Sequence, residues 1–87
     1  MRQDDAMKIV KFPYITEKTS MLINNNTLTF ITDAKVDKEK VKEAIESLYN
    51  VKVDKVNILI SKKGKKAYVH LAKDYSASEL ASKIGIV

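Results

Sequence analysis

The sequence predicts an α+β fold, a mostly antiparallel sheet with helices packed on it. Three patterns predict it. Val41, Ala44, Ile45, Leu48 and Tyr49 recur at i, i+3, i+4, i+7 and i+8, an apolar stripe on an otherwise charged helix. Two stretches, Thr27 to Thr32 and Val51 to Ile60, are rich in β-branched residues, as strands are. A third stretch, from Ala67 to Leu71, alternates apolar with polar side chains directly after a short glycine-containing loop, which makes an antiparallel hairpin with the strand before it.

Residues 1–7 show no periodicity and read as a mobile tail, leaving 8–87 as a single domain. Lys8 to Phe12 reads as a short edge strand, ended by Pro13, which has no N–H for a ladder. Thr16 is placed to cap a short helix containing Met21, Leu22 and Ile23, with Glu17 complementing the positive end of its dipole. Asn24-Asn25-Asn26 breaks that helix. In the next strand Leu28 and Phe30 share a face. Asp37 caps the long helix and Asn50 closes it in a left-handed turn. In the strand from Val51 the parity of the apolar residues slips near Asp54-Lys55, which predicts a bulge. Ser61 to Lys66 reads as the hairpin loop. Ser76-Ala77-Ser78-Glu79 has the form of a capping box, and Ala77, Leu80, Ala81 and Ile84 give the closing helix its stripe before Gly85 stops it. The expected order is strand, helix, strand, helix, strand, strand, helix. No amphipathic pattern is left over for the second face of the sheet, so part of that face is expected to be open.

Composition removes several classes of function. At 87 residues the chain is one domain, with no room for a cleft between domains. It has no cysteine, so thiol catalysis and cysteine-ligated metals are excluded, and its one histidine excludes a histidine pair. The absence of cysteine fits a cytoplasmic setting. No apolar run approaches the roughly 20 residues that span a bilayer, so no membrane insertion is expected. The polar start is not a signal peptide, and no lipidation motif or internal repeat is present. Two glycines cannot build a phosphate-binding glycine loop. His70 has no nucleophile-elbow context, and Glu39, Glu43 and Glu46 interleave with Lys38, Lys40 and Lys42 as a solvated helix face does. No enzyme, cofactor or metal is expected.

The charge is uneven. The chain carries 16 basic and 11 acidic side chains, net +5. Residues 51–70 alone hold six basic groups and one acidic group, which is the whole excess. Lys62, Lys63, Lys65 and Lys66 surround Gly64 within this stretch. Such a cluster attracts polyanions by neutralising phosphates and releasing counterions; a soluble hairpin tip is the plainer explanation of a lysine run by itself. Its neighbours decide between the two. If Ala67, Val69 and Leu71 point into the core, Tyr68 and His70 point outward, and Asn57 and Leu59 join them from the preceding strand. Stacking on Tyr68, hydrogen bonds from Asn57 and phosphate contacts from the lysines make a coherent RNA surface.

Four segments, in order, resemble one family. Pro13-Tyr14-Ile15-Thr16-Glu17-Lys18 is similar to its opening motif of proline, two residues, threonine or serine, glutamate and lysine. Val41 to Val53 resembles its central helix and the junction to the next strand, Val56-Asn57 resembles a valine–asparagine pair in that strand, and Lys65-Lys66-Ala67-Tyr68-Val69 resembles the strand after it. On these segments the chain is identified as a member of the large-subunit ribosomal protein L23 family, over roughly residues 8–86. The resemblance implies a structural constituent of the large ribosomal subunit, bound to large-subunit ribosomal RNA beside the nascent-chain exit tunnel among neighbouring ribosomal proteins. It also implies a docking surface for nascent-chain factors such as the signal recognition particle. The short hairpin loop and the missing basic N-terminal extension resemble the archaeal type. Thr19 stands where a small serine or alanine is common, and Ile58 where threonine is frequent.

Carried over by position, Thr16, Lys18, Asn57, Lys65, Lys66 and Tyr68 are the implied RNA contacts, joined by Lys62 and Lys63 from the charge cluster. Thr16 has the competing role of a helix cap, and Glu17, at the position linked to factor docking, has that of a favourable charge at a helix start. Two other functions remain for comparison. A free single-stranded RNA-binding module would need a further strand to close its sheet, whereas this chain ends in a helical pattern. A small α+β protein-interaction adaptor would bind through the helix at 37–50 and show no salt-dependent RNA affinity.

Overall fold

The computed structural model of the protein describes residues 2–62 and 64–85. Lys63 lies outside the described residues. The elements run α1 (Gln3–Ile9), β1 (Val10–Pro13), α2 (Glu17–Leu22), a 3₁₀ turn (Ile23–Asn25), β2 (Thr27–Thr32), α3 (Lys38–Tyr49), β3 (Val53–Ser61), β4 (Gly64–Leu71) and α4 (Ala77–Ile84). The four strands form one antiparallel sheet in the order β1-β2-β4-β3. This is the expected α+β architecture, with one helix added at the start.

The caps expected at α2, α3 and α4 are formed. The Asp37 carboxylate accepts the Lys40 N–H at 2.9 Å, and Asn50 closes α3 at φ +54°. Ser76 Oγ accepts the Glu79 N–H at 3.2 Å, and Gly85 closes α4 at φ +83°. At α2 the cap is reciprocal: Thr16 Oγ1 accepts from the Thr19 N–H at 3.1 Å, and Thr19 Oγ1 accepts from the Thr16 N–H at 2.7 Å. Thr19 thus supplies half of a capping box.

The core lies on one face of the sheet. Leu28 and Phe30 of β2, Val69 and Leu71 of β4, and Val53 and Val56 of β3 are buried there with Val41, Ala44 and Ile45 of α3 and Ala77, Leu80 and Ala81 of α4. Tyr49 stacks on Phe30 with ring centroids 6.0 Å apart. The slip near Asp54 is a bulge: Val53 pairs with Leu71, but Lys55 pairs with His70. Glu46 braces it, accepting the Val53 N–H at 2.9 Å, so this glutamate is more than a solvated charge.

Three expectations are corrected. Residues 3–9, expected to be an irregular tail as far as residue 7, form α1, which packs on α3 and buries Ala6 completely. The edge strand consequently starts at Val10 rather than Lys8. The hairpin loop expected from Ser61 to Lys66 is only two residues long, because Ser61 pairs with Gly64 and β4 begins at that glycine. Gly64 takes φ +120°, a backbone conformation that side-chain-bearing residues rarely adopt.

Asn26 holds the molecule's end together. It takes the left-handed conformation at φ +59°. Its Nδ2 donates to the carbonyls of Tyr75 at 2.9 Å and Leu71 at 3.1 Å, and its Oδ1 accepts the first helical N–H of α4, from Ala77, at 2.7 Å. One side chain thereby joins the start of β2 to the end of β4 and the start of α4.

Candidate nucleic-acid interface

Pairing fixes which side chains share the sheet's other face. Directly opposed residues in antiparallel strands point the same way. Thr29 pairs with Tyr68 and Tyr68 with Asn57; Thr27 pairs with His70 and His70 with Lys55; Ile31 pairs with Lys66 and Lys66 with Leu59. These residues therefore line the face turned away from the core. Phe12 of β1 joins them opposite Ile31. Ile31 and Thr29 are buried, and Tyr14 and α2 lie over that end of β2. Towards β3 the face opens: Asn57 and Lys55 are exposed, Leu59 is 53% exposed, and Tyr68 and His70 are half-buried.

A shallow groove runs over this open part, lined by Leu22, Asn25, Thr27, Lys55, Asn57, Tyr68 and His70. Its side chains are positioned, not loose. His70 Nδ1 lies 3.1 Å from Thr27 Oγ1, which fixes the ring across the strand boundary. The Lys66 ammonium sits 4.5 Å from the centre of the Tyr14 ring, a cation–π contact that holds a positive charge on the open face. The groove combines an aromatic ring, an imidazole, an amide and a lysine beside it. It offers stacking, hydrogen bonding and phosphate neutralisation within one surface.

The residues singled out from sequence fall into separate groups. Asn57, Tyr68 and Lys66 share the open face. Lys62 is exposed at the hairpin tip. Lys65 does not join them. It sits in β4 with core-face parity, and its ammonium donates to the Val36 carbonyl at 3.0 Å, so the lysine cluster divides between the two sides of the sheet. Thr16 is committed to its capping box, with its hydroxyl and its N–H both bonded to Thr19. Lys18 and Glu17 are exposed on the first turn of α2. Lys55, Thr27 and Tyr14 were missed as contributors. The parity of Lys55 with Asn57 was available in the sequence; the approach of Tyr14 to Lys66 was not, since it depends on how β1 and β4 flank β2. Among the described residues, no group of histidine, aspartate and glutamate could hold a metal ion, and no helix is long and apolar enough to cross a membrane.

The family model for ribosomal protein L23 matches residues 8–69. The chain belongs to the ribosomal protein L23 family. The match runs from the end of α1 into β4 and so covers the whole open face apart from His70. Membership makes the protein a structural component of the large ribosomal subunit, with a part in translation, and implies ribosomal RNA and neighbouring ribosomal proteins as its partners.

Proposed function

We propose that the open sheet face, from Lys66 across Tyr68 to Asn57 and Lys55, binds large-subunit ribosomal RNA, with Lys62 reaching phosphates beyond its edge; Lys63, next to it in sequence, is kept as an RNA contact on its charge alone. The observation that carries this is the pairing of Asn57 with Tyr68, which sets an amide and an aromatic ring side by side on the part of the face that α2 leaves open. Lysines neutralise phosphates and position the RNA; the ring and amide add contacts to bases or sugars. Lys18 on α2 contributes a phosphate contact at the margin. Thr16 acts through the cap that orients this helix.

Family resemblance supports three finer statements. The protein sits beside the nascent-chain exit tunnel. Glu17, exposed at the start of α2, belongs to a docking surface for nascent-chain factors such as the signal recognition particle. The two-residue hairpin loop fits the archaeal type, since it leaves nothing to extend into the tunnel.

The test is binding of the purified chain to a large-subunit ribosomal RNA fragment from the exit region over a salt series, with an unrelated RNA of equal length as control. Preferential and salt-sensitive binding is expected. Equal binding to both RNAs would reduce the surface to a generic basic patch, and no binding at low salt would favour the protein-interaction adaptor.

A further inference from the structure

His70 is the one residue of the open groove that lies outside the family match, a single position beyond its end. Its hydrogen bonding fixes its chemistry. Thr27 Oγ1 lies 3.1 Å from His70 Nδ1 and 3.2 Å from the Asn25 carbonyl oxygen. The carbonyl can only accept, and the hydroxyl has one proton to give. Both contacts form together only if Thr27 donates to Asn25 and the His70 Nδ1–H donates to Thr27. In the neutral ring Nε2 then carries no proton and is left as an acceptor. Among the described residues nothing else bonds to the ring.

We infer that the groove seats a single unpaired ribonucleotide, with His70 Nε2 accepting a hydrogen bond from its 2′-hydroxyl. This rests on the reading of the open face as an RNA surface and narrows it to one unstacked nucleotide. Size and charge select that occupant first. The groove encloses about 330 Å³, at the small end of the roughly 300–1,000 Å³ of ligand sites, and Lys55 lines it with no carboxylate beside it. Its polar groups select the unpaired state. Tyr68 offers a ring face, and Asn57 beside it offers a donor and an acceptor. A base meets both only when it is out of a helix, because the deep, narrow major groove of paired RNA keeps its base edges from side chains. The spacing of the rows then assigns the sugar. Tyr68 and Asn57 form one row across the sheet, and His70 and Lys55 form the next, two residues along β4 and so roughly 7 Å away. A base stacked on the first row sets its ribose over the second, where His70 takes the hydroxyl and Lys55 the phosphate. Leu22, at the end of α2, supplies an apolar wall beside the base. Lysine contacts to phosphate treat RNA and DNA alike, whereas an acceptor for the 2′-hydroxyl tells them apart.

The full chain is titrated at pH 8 and about 0.15 M salt with a short single-stranded RNA, its 2′-deoxy and 2′-O-methyl forms, and the same strand paired with its complement. The exit-region ribosomal RNA fragment is run alongside. The unpaired strand is expected to bind about tenfold or more tightly than the paired one, through stacking on Tyr68. The deoxy and O-methyl strands both lack the donated proton and are each expected to bind about 2- to 10-fold more weakly than the ribo strand. His70→Phe keeps a ring and removes the acceptor, so it is expected to bind all three single strands alike. Nitrogen-15 spectra of the unmodified chain's only histidine give a readout that needs no variant. A protonated Nδ1 and a bare Nε2 are expected, with the Nε2 signal moved by the ribo strand and not by the deoxy strand. A proton on Nε2 instead of Nδ1, equal affinity for ribo and deoxy strands, or discrimination that survives His70→Phe overturns the assignment of His70. A paired strand that binds as tightly as the single one overturns the unpaired nucleotide. Failure of the exit-region fragment to bind, or its indifference to Tyr68→Ala, overturns the RNA reading itself.

Discussion

Asn26 shows how one residue can carry structural weight that its composition conceals. Its left-handed backbone ends the 3₁₀ turn, and its amide bonds to three separate segments. Asn26→Gly keeps the backbone conformation and removes the amide; with about 0.5–1.5 kcal/mol for each of the three net hydrogen bonds, the expected loss is roughly 1.5–4.5 kcal/mol. Asn26→Ala adds the penalty of a β-carbon in the left-handed region, about 1–2 kcal/mol more. Urea midpoints of the two variants check both steps, and equal midpoints would show that the backbone conformation contributes nothing. The three consecutive asparagines announce a turn in the sequence, but only the tertiary pairing of β2 with β4 selects Asn26 over its neighbours. Tyr49 makes a second prediction at this scale. Burial raises the pKa of its phenol above the ordinary value of 10.0. Because the folded state holds this proton more tightly, the contribution to stability is complete below about pH 10 and is lost as pH rises through the folded value. Tyr49→Phe removes that dependence. The stability difference between the two proteins should stay constant to about pH 9.5 and shift against the tyrosine form above it, as measured by denaturant titrations between pH 8 and 11.5.

Elements were legible wherever burial imposes a period. The stripe of α3 and the alternation of Ala67, Val69 and Leu71 each name a face; the strand face is buried throughout, and the helix stripe is buried at Val41, Ala44 and Ile45 and partly buried at Leu48 and Tyr49. The slip at Asp54 was legible for the same reason, since a change of parity is how a bulge must appear in sequence. α1 left no such mark: its one fully buried residue is the small Ala6, joined only by the partly buried Ile9 at its end, and these make no stripe to read. The start of β4 was hidden differently. Lys65 and Lys66 look like parts of one loop in a run of lysines, yet in a strand neighbouring residues point to opposite faces. This alternation makes their roles separable. Lys66→Ala is expected to reduce the slope of log affinity for RNA against log salt by about 0.7–0.9, the loss of one phosphate contact. Lys65→Ala is expected to leave that slope unchanged and to lower stability by about 1 kcal/mol through the lost bond to the Val36 carbonyl. A fall in slope for Lys65→Ala would mean that the cluster acts as a unit despite its division.

At the scale of the whole molecule, the sheet separates two tasks. One face is sealed under α1, α3 and α4 and holds the fold together. The other is left partly uncovered, and the proposed binding of ribosomal RNA uses that exposure. A small domain is only marginally stable, so a large exposed face is affordable only if the opposite face is well packed. The candidate surface was legible from sequence to the extent that parity reveals a face; its groove was not, because Thr27, Asn25 and Leu22 reach it only after α2 and the 3₁₀ turn fold over the end of β2. The division predicts that stability and binding can be changed independently. Ile45 is fully buried in the α3 stripe. Ile45→Val removes one buried methylene and is expected to cost about 0.5–1.5 kcal/mol. In a domain of this size that lowers the melting temperature by about 4–8 °C for each kcal/mol. Its affinity for the RNA fragment, measured well below the melting temperature, should be unchanged. Asn57→Ala combined with Tyr68→Ala lies wholly on the open face and should do the reverse, weakening RNA binding by about 1–3 kcal/mol per stacked base while shifting the melting temperature far less than its effect on binding. If Ile45→Val weakened binding as much as the surface pair did, the two faces would be coupled, and the RNA would be recognising a packing of the core rather than a row of side chains on an open sheet.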